Sequence, residues 1–237
     1  MGINYFRYNG KNSIDFNVFI SGELTYTTPN KDVETVAVPG RNGTLSFDNN
    51  RFNNIAIKYP SFIVHEFAKN FDALKAWLNS VDGYAELSDT YDLEHYRRAR
   101  FVSEITPTMD QFNRHGTFDI IFDCDPRRFL RSGDKEISIS SSLTLKNPTQ
   151  FDAKPLLSLT GSGRITINGT SIDVSVSPSN TPTIIDCDTQ EAYYGETSRN
   201  SNITLVNGEF PKLVPGLNTI TYQSFSSCKI TPRWWTI

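Results

Sequence analysis

Apolar and polar residues alternate along most of the chain, in short runs separated by Gly, Asn, Pro and Ser. The runs with this period of two are IDFNVFISG, TVAVPG, GTLSF, NNIAIKY, ARFVSEI, FDIIFDCD, EISISSSLTL, RITINGTSIDVSVS, PTIIDCD, NITLV and NTITYQ. Such alternation places successive side chains on opposite faces of a strand, and many short strands joined by turns are typical of sandwiches and barrels. The pattern predicts a mainly β protein.

One segment, HEFAKNFDALKAWLNSVDG, has a different period. Its apolar residues recur every three or four positions and are Phe67, Phe71, Leu74, Trp77 and Leu78. This spacing predicts a helix at about 66–79, with that face buried against an N-terminal β core. The polar residues expected to face outward are Lys69, Asn70, Asp72 and Lys75.

The chain has 237 residues, a length that two domains of ordinary size would share. Between residues 122 and 147 the composition changes through FDCDPRRFLRSGDKEISISSSL, with a proline, a basic cluster and a serine-rich run. We therefore expect a domain boundary near residue 132. The predicted domains are 1–132 and 133–237.

The segment VPGRNGTLSF, residues 38–47, raises the question of a phosphate-binding loop. Such loops need GxxxxGK[ST] or GxGxxG spacing before a helix, and here a strand pattern follows instead. Asn-Gly between strands is a strong hairpin signal because both residues tolerate positive φ. The segment is predicted to be a hairpin turn. TGSGRITING, residues 160–169, fails as a phosphate loop for the same reason.

The formal net charge is −3 and the pI is about 5.6. No global basic field would attract nucleic acid or an anionic membrane, so we expect no sequence-specific nucleic acid binding. No apolar run approaches the roughly 20 residues of a membrane helix, and the N-terminal sequence lacks a signal-peptide pattern. We expect no membrane insertion, and synthesis in a cytoplasm.

The sequence contains no recognisable catalytic or metal-binding motif. Cys124, Cys187 and Cys228 have no CxxC or Cys/His ligand spacing and are interpreted as reduced, buried thiols. The histidines His65, His95 and His115 lack HExxH spacing, and no GxSxG elbow is present. We therefore expect no catalytic residue, no metal site and no cofactor.

Two sets of charged residues remain as candidates. The acid pairs Asp123/Asp125 and Asp186/Asp188 each flank a cysteine at a strand end, and we interpret them as turn acids rather than a glycosidase pair. The basic clusters are Arg97, Arg98 and Arg100, and Arg127, Arg128 and Arg131. They are open to three interpretations: pairing with acids within or between subunits, solvated strand ends, or contact with nucleic acid.

Several segments, in order, resemble the distal tail protein (Dit) family of long-tailed siphophages. They are VPGRNGTL, LKAWL, YAELSDTYDLEHYRRARF, GTFDIIFDCDPRRF, NPTQFDAKPLLSLTGSGRITING, IIDCDTQEAYY, NGEFPKLVPGLNTI and the terminal PRW. Together these segments extend over nearly the whole chain.

The resemblance implies an N-terminal β domain that forms a homo-hexameric ring, followed by a C-terminal galectin-like β-sandwich. It also implies a non-enzymatic hub in the virion tail tip or baseplate. The implied partners are the tail tube protein, the tail-associated lysin or tail tip protein, and receptor-binding or baseplate proteins. DNA would pass through the lumen without being read.

Two other functions stay open at this stage. A carbohydrate-binding module for host cell-wall saccharides would use exposed aromatic residues, and the candidates are Tyr193, Tyr194, Trp234 and Trp235. For the two tryptophans, packing on the C-terminal core is the competing interpretation. A glycoside hydrolase would need two carboxylates facing each other across a cleft, which the sequence does not show.

Overall fold

The computed structural model describes residues 3–22, 27–110, 112, 114–177 and 180–237. The chain divides into two compact units, Met1–Arg128 with Ile237, and Phe129–Thr236. The division falls a few residues before position 132.

The first unit contains the helix and most of the long strands. Its elements are β1 (Phe6–Tyr8), β2 (Lys11–Asn12), β3 (Val18–Ile20), β4 (Lys31–Ala37), β5 (Thr44–Phe52), β6 (Ile55–Ile63), α1 (Phe67–Asn79), β7 (Ala85–Asp89), β8 (Asp92–Phe101), β9 (Thr108–Met109) and β10 (Gly116–Cys124). A 3-10 turn covers Ser13–Phe16. The main sheet has the antiparallel order β2-β1-β7-β8-β10-β6-β3, with β9 added beside β10.

Helix α1 packs its apolar face into the core of this unit, as predicted. All five residues of the predicted face are buried and belong to one hydrophobic cluster with Phe6, Tyr8 and Phe122. The prediction that Asn70 faces outward is wrong. Asn70 is buried, and its Nδ2 donates to the carbonyl of His65 at 2.8 Å, which satisfies a polar group that burial would otherwise penalise.

The second unit is built from short strands. Strand β11 (Arg128–Leu130) lies at the division between the units, and the strands after it are β12 (Ile137–Ser138), β13 (Ser142–Asn147), β14 (Leu156–Thr160), β15 (Gly163–Ile167), β16 (Thr170–Val174), β17 (Pro182–Asp186), β18 (Glu191–Tyr194), β19 (Thr197–Ser198), β20 (Ile203–Leu205), β21 (Gly216–Gln223), β22 (Ser227–Thr231) and β23 (Trp235–Thr236). Short 3-10 turns cover Arg131–Gly133 and Asn200–Asn202.

Two sheets enclose the core of the second unit. One has the order β12-β22-β14-β17-β18-β19 and the other β13-β21-β15-β16-β20. Leu157, Leu159 and Ile230 from the first sheet join Ile165 and Ile220 from the second in a single buried cluster. This is the two-layer packing of a β-sandwich. The mainly β fold class with one helix is thus confirmed.

Some predicted runs differ from the observed strands. IDFNVFISG forms a strand only at Val18–Ile20, because the preceding residues close the 3-10 turn, where the Asp15 carboxylate accepts from the Asn12 N–H at 3.2 Å. EISISSSLTL contains two strands, β12 and β13, which belong to different sheets.

Candidate interaction surface

The segment with VPGRNGTLSF forms a hairpin of β4 and β5 that pairs with no other strand in the described part of the chain. We call residues 31–52 the hairpin arm. Nearly every residue of the arm is exposed, and none belongs to either hydrophobic core. The prediction of a hairpin is confirmed.

The turn of the hairpin arm differs from the predicted one. The last paired residues are Ala37 and Thr44, so the loop is residues 38–43 rather than a two-residue Asn-Gly turn. Positive φ is found at Gly40 (+81°) and Gly43 (+82°). The Arg41 N–H donates to the Val38 carbonyl at 3.2 Å and closes a turn inside the loop. Both glycines therefore occupy positions of positive φ, in a loop longer than the predicted turn.

The register of the arm gathers apolar side chains on one face. Val36 lies opposite Leu45, and Glu34 lies opposite Phe47. Because side chains at alternate positions share a face of the ribbon, Val36, Leu45 and Phe47 lie together, with exposed fractions of 48%, 36% and 55%. We call these three residues the apolar face of the arm.

An exposed two-stranded hairpin of this kind is an incomplete structure. Two strands alone are marginally stable in water, and both outer edges of this hairpin carry unpaired backbone groups. Contiguous exposed apolar side chains mark interaction sites on folded proteins. The arm is the strongest candidate for a protein–protein contact in the described residues.

Three of the six arginines singled out in the sequence pair with acids of the same chain. Arg100 Nε lies 2.7 Å from Asp123, and Arg127 Nη2 lies 2.7 Å from Asp125. Arg128 Nη2 lies 2.5 Å from Asp92, a carboxylate that also lies 2.9 Å from His95 Nδ1. The interpretation of arginines as partners of acids within the chain is supported for Arg100, Arg127 and Arg128.

Three of the four acids in the two pairs are held by arginines of the same chain. Asp123 is held by Arg100 and by the Asn54 amide at 3.0 Å, and Asp125 by Arg127. Asp186 accepts from Arg233 through both oxygens, at 2.7 and 3.0 Å. The described residues contain no group of three or more His, Cys, Asp or Glu that is arranged to hold a metal ion.

The three cysteines are buried free thiols, as predicted. Burial raises the pKa of each of Cys124, Cys187 and Cys228 to about 12. The thiolate is the reactive form of cysteine, so these residues act as small core side chains.

The aromatic residues considered for saccharide binding do not form an exposed platform. Trp234 is buried in the core of the second unit at 4% exposure. Trp235 stacks on Phe151 with ring centroids 4.3 Å apart, and its Nε1 donates to the Asp152 carbonyl at 2.9 Å. The interpretation of the tryptophans as residues packed on the C-terminal core is confirmed. Tyr194 is exposed, with the Arg199 guanidinium 4.9 Å from its ring.

The ion pair of Asp186 and Arg233 gives a pH-dependent prediction for the second unit. Burial raises the pKa of Asp186, but hydrogen bonds from Arg233 and from backbone N–H groups, with the Arg233 charge, together bring it below its ordinary value. A carboxylate whose folded pKa is depressed stabilises the fold above its unfolded pKa, near 4, and that contribution is lost as the pH falls through the folded pKa.

We expect Asp186→Asn to lower the free energy of unfolding by about 3 kcal/mol at pH 7, because Arg233 keeps its charge without a partner. The difference from wild type should shrink as the pH falls from about 5 to about 2. Urea unfolding at several pH values, followed by tryptophan fluorescence, measures this. Asp173→Asn, at the exposed Arg164–Asp173 pair, is the matched control and should have little effect. A constant difference across the pH range would contradict the assignment.

No helix in the described part of the chain combines the length and apolar character needed to cross a membrane.

Comparison with known proteins gives a match in fold but not in sequence. No protein-family model matches the chain, and no curated protein is similar to it in sequence. Among solved structures, the chain is similar to the Dit protein of SPP1, described as a paradigm of the hub adsorption apparatus in phages that infect Gram-positive bacteria. The TM-score is 0.74 at 10% identity, with 100% of both chains covered.

A second similar structure is the phage p2 baseplate in its activated conformation with Sr. The TM-score there is 0.58 at 10% identity, with 97% of each chain covered. Over its full length, the chain has the fold of the SPP1 Dit hub protein.

Proposed function

We propose that this protein is a structural hub of a siphophage tail tip or baseplate and that it works as a hexameric ring without catalysis. The observation that carries the proposal is the likeness in fold to the SPP1 Dit protein, which extends over all of both chains. A protein that shared only a general β architecture with this chain would be expected to match one of its two units rather than both.

The hairpin arm supports the ring. A ring closes through a head-to-tail interface, in which one surface of a subunit meets a different surface of the next. An arm whose apolar face is exposed on the single chain supplies one half of such an interface. Docked on the next subunit, the arm would bury Val36, Leu45 and Phe47 and pair an edge strand.

The proposed partners follow from a hub position. One side of the ring would meet the tail tube protein, the other the tail-associated lysin or tail tip protein, and the C-terminal sandwich would face receptor-binding or baseplate proteins. The proposed location is the virion tail tip, after synthesis in the bacterial cytoplasm. The net charge of −3 per chain suits a ring whose lumen passes DNA without holding it.

The two other functions have weaker support. The saccharide module would use Tyr193, Tyr194, Trp234 and Trp235, and both tryptophans pack within the second unit. The glycosidase depended on facing carboxylates. Of the four acids considered for it, three are held by arginines and Asp188 lies 3.3 Å from Lys154 Nζ. Neither is proposed. Galectin-like remains our prediction for the type of sandwich.

The proposal is tested by assembly with purified tail tube and tail tip proteins of the same phage. We expect negative-stain images to show a ring of this protein seated at the end of tail tubes. Images in which the tubes remain bare at saturating concentrations of the protein would count against the hub.

A further inference from the structure

The first unit contains a cavity of about 320 Å³. The side chains important for its chemistry are Tyr59, Asp89, Tyr91, His95, Arg97 and Arg128. Strands β6, β7, β8 and β11 supply them, with Tyr91 in the turn between β7 and β8. Its volume lies at the small end of the range for small-molecule sites, which have apolar walls and a few polar groups.

Arg97 is the group in this cavity that lacks an acidic partner. In the register of β7 and β8 it lies opposite Leu87, which is 2% exposed, so Arg97 projects from the core-facing side of the sheet. Its Nη1 donates to the Pro126 carbonyl at 2.7 Å, and among the described residues it forms no ion pair with a carboxylate. Its other N–H groups remain available for a ligand.

The surroundings of Arg97 disfavour its charge in the empty cavity. Burial lowers the pKa of Arg97, and the nearby Arg128 charge lowers it further, although a guanidinium stays protonated at neutral pH. An anion placed against Arg97 would offset both effects, because an opposite charge at short range favours the charged form.

Neither of the two acids that line the cavity forms an ion pair with Arg97 among the described residues, and each is held by other donors. Asp89 accepts from the Tyr59 hydroxyl at 2.8 Å and from the backbone N–H of Tyr91 at 2.9 Å. Asp92 is held by Arg128 at 2.5 Å and lies 2.9 Å from His95. The N–H groups of Arg97 other than the one bonded to Pro126 are therefore donors without a carboxylate partner among the described residues.

We propose that this cavity binds a monosaccharide-sized organic carboxylate, with the Arg97 guanidinium pairing both carboxylate oxygens. The planar fork of arginine matches a carboxylate, and Asp89 and Asp92, which line the same cavity, disfavour a doubly charged ligand such as phosphate. The tyrosine rings and Leu87 give the body of the ligand apolar contact, and the volume accommodates more than a bare ion. The inference does not depend on the hub role.

The test is titration of the full chain with glucuronate, glucose and benzoate, followed by the side-chain Nε–H resonances of arginine. We expect saturable shifts of the Arg97 resonance with the carboxylates and none with glucose. Glucose has the sugar ring of glucuronate but no carboxylate. Binding of glucuronate alone identifies an acidic saccharide, and binding of benzoate as well identifies a site for carboxylates in general.

Variants separate recognition from folding. We expect Arg97→Gln to weaken carboxylate binding by about 10- to 100-fold, since charged hydrogen bonds are lost while a donor to Pro126 is kept. Arg97→Lys keeps the charge without the fork and should also weaken binding. Arg100→Gln, on the same strand but exposed and paired with Asp123, is the control and should bind like wild type. Thermal unfolding of each variant checks that it is folded.

Three results would overturn the proposal. One is the absence of saturable binding by either carboxylate up to about 20 mM. This concentration is well above the dissociation constants expected for small ligands that make a single ionic contact. Another is undiminished binding by folded Arg97→Gln. The last is inorganic phosphate binding as tightly as the carboxylates, which the acids beside Arg97 should prevent.

Discussion

An aspartate in place of Phe47 is expected to leave the chain folded and to abolish ring assembly. Phe47 is 55% exposed on the hairpin arm and contacts neither core, so the single chain loses little by its removal. In a ring the same side chain would be buried at each subunit contact. Charging a buried aromatic anchor typically costs about 2 kcal/mol or more per interface, and the cost recurs at every interface.

Light scattering of wild type and variant at equal concentration, alone and with tail partners, measures the effect. Leu217→Asp is the matched control, because Leu217 is 72% exposed on β21 of the second unit. We expect the control to assemble like wild type. Rings of Phe47→Asp with wild-type stability would show that the arm is not the contact.

The second large effect is expected in the core of the first unit. Trp77 is 4% exposed and stacks on Phe16 at 4.6 Å and on Phe6 at 5.8 Å between ring centroids. We expect Trp77→Ala to lower the free energy of unfolding of this unit by about 3–5 kcal/mol, through lost contacts and the cavity left behind. Urea unfolding followed by circular dichroism measures the change.

A graded pair of variants checks the reason for this loss. The Trp77 Nε1 has no hydrogen-bond partner among the described residues, so Trp77→Phe removes a buried unsatisfied donor and keeps an aromatic ring. We expect Trp77→Phe to be clearly less destabilising than Trp77→Ala. Leu93→Ala, at a residue 72% exposed on β8, should change stability by less than about 0.5 kcal/mol. Equal losses for both Trp77 variants would argue against the stacking account.

The helix could be predicted closely because its pattern depends on local spacing alone. The five apolar residues of α1 fix both its period and its buried face, and the helix runs Phe67–Asn79 as expected. The burial of Asn70 could not be predicted from this spacing. Its burial depends on a hydrogen bond to the His65 carbonyl, which residue type does not reveal.

Some of the strands could be predicted from the sequence and others could not. Runs rich in β-branched residues, such as RITINGTSIDVSVS, correspond to observed strands, here the hairpin of β15 and β16. The central strand β14, LLSLT, was missed because three of its five residues are leucine, which is not a strong strand former. The pairing of β14 with β17 and β22 supplies what the local sequence does not.

The candidate surfaces were the least accessible to sequence reasoning. TVAVPG and GTLSF have the alternation of half-buried strands. Only the strand pairing shows that, among the described residues, the arm pairs with no third strand. Arg97 likewise looked like its neighbours Arg98 and Arg100. Only the register opposite Leu87 shows that Arg97 lies on the core-facing side of the sheet.

The central claim is that the chain is a ring-forming hub, and the mass of the assembled species tests it most directly. Light scattering of the purified protein, alone and mixed with tail tube and tail tip proteins, gives that mass. We predict a species containing six chains of 26.8 kDa with a ring outline in negative stain. A chain that remains strictly monomeric and forms no ring with either partner would contradict the account.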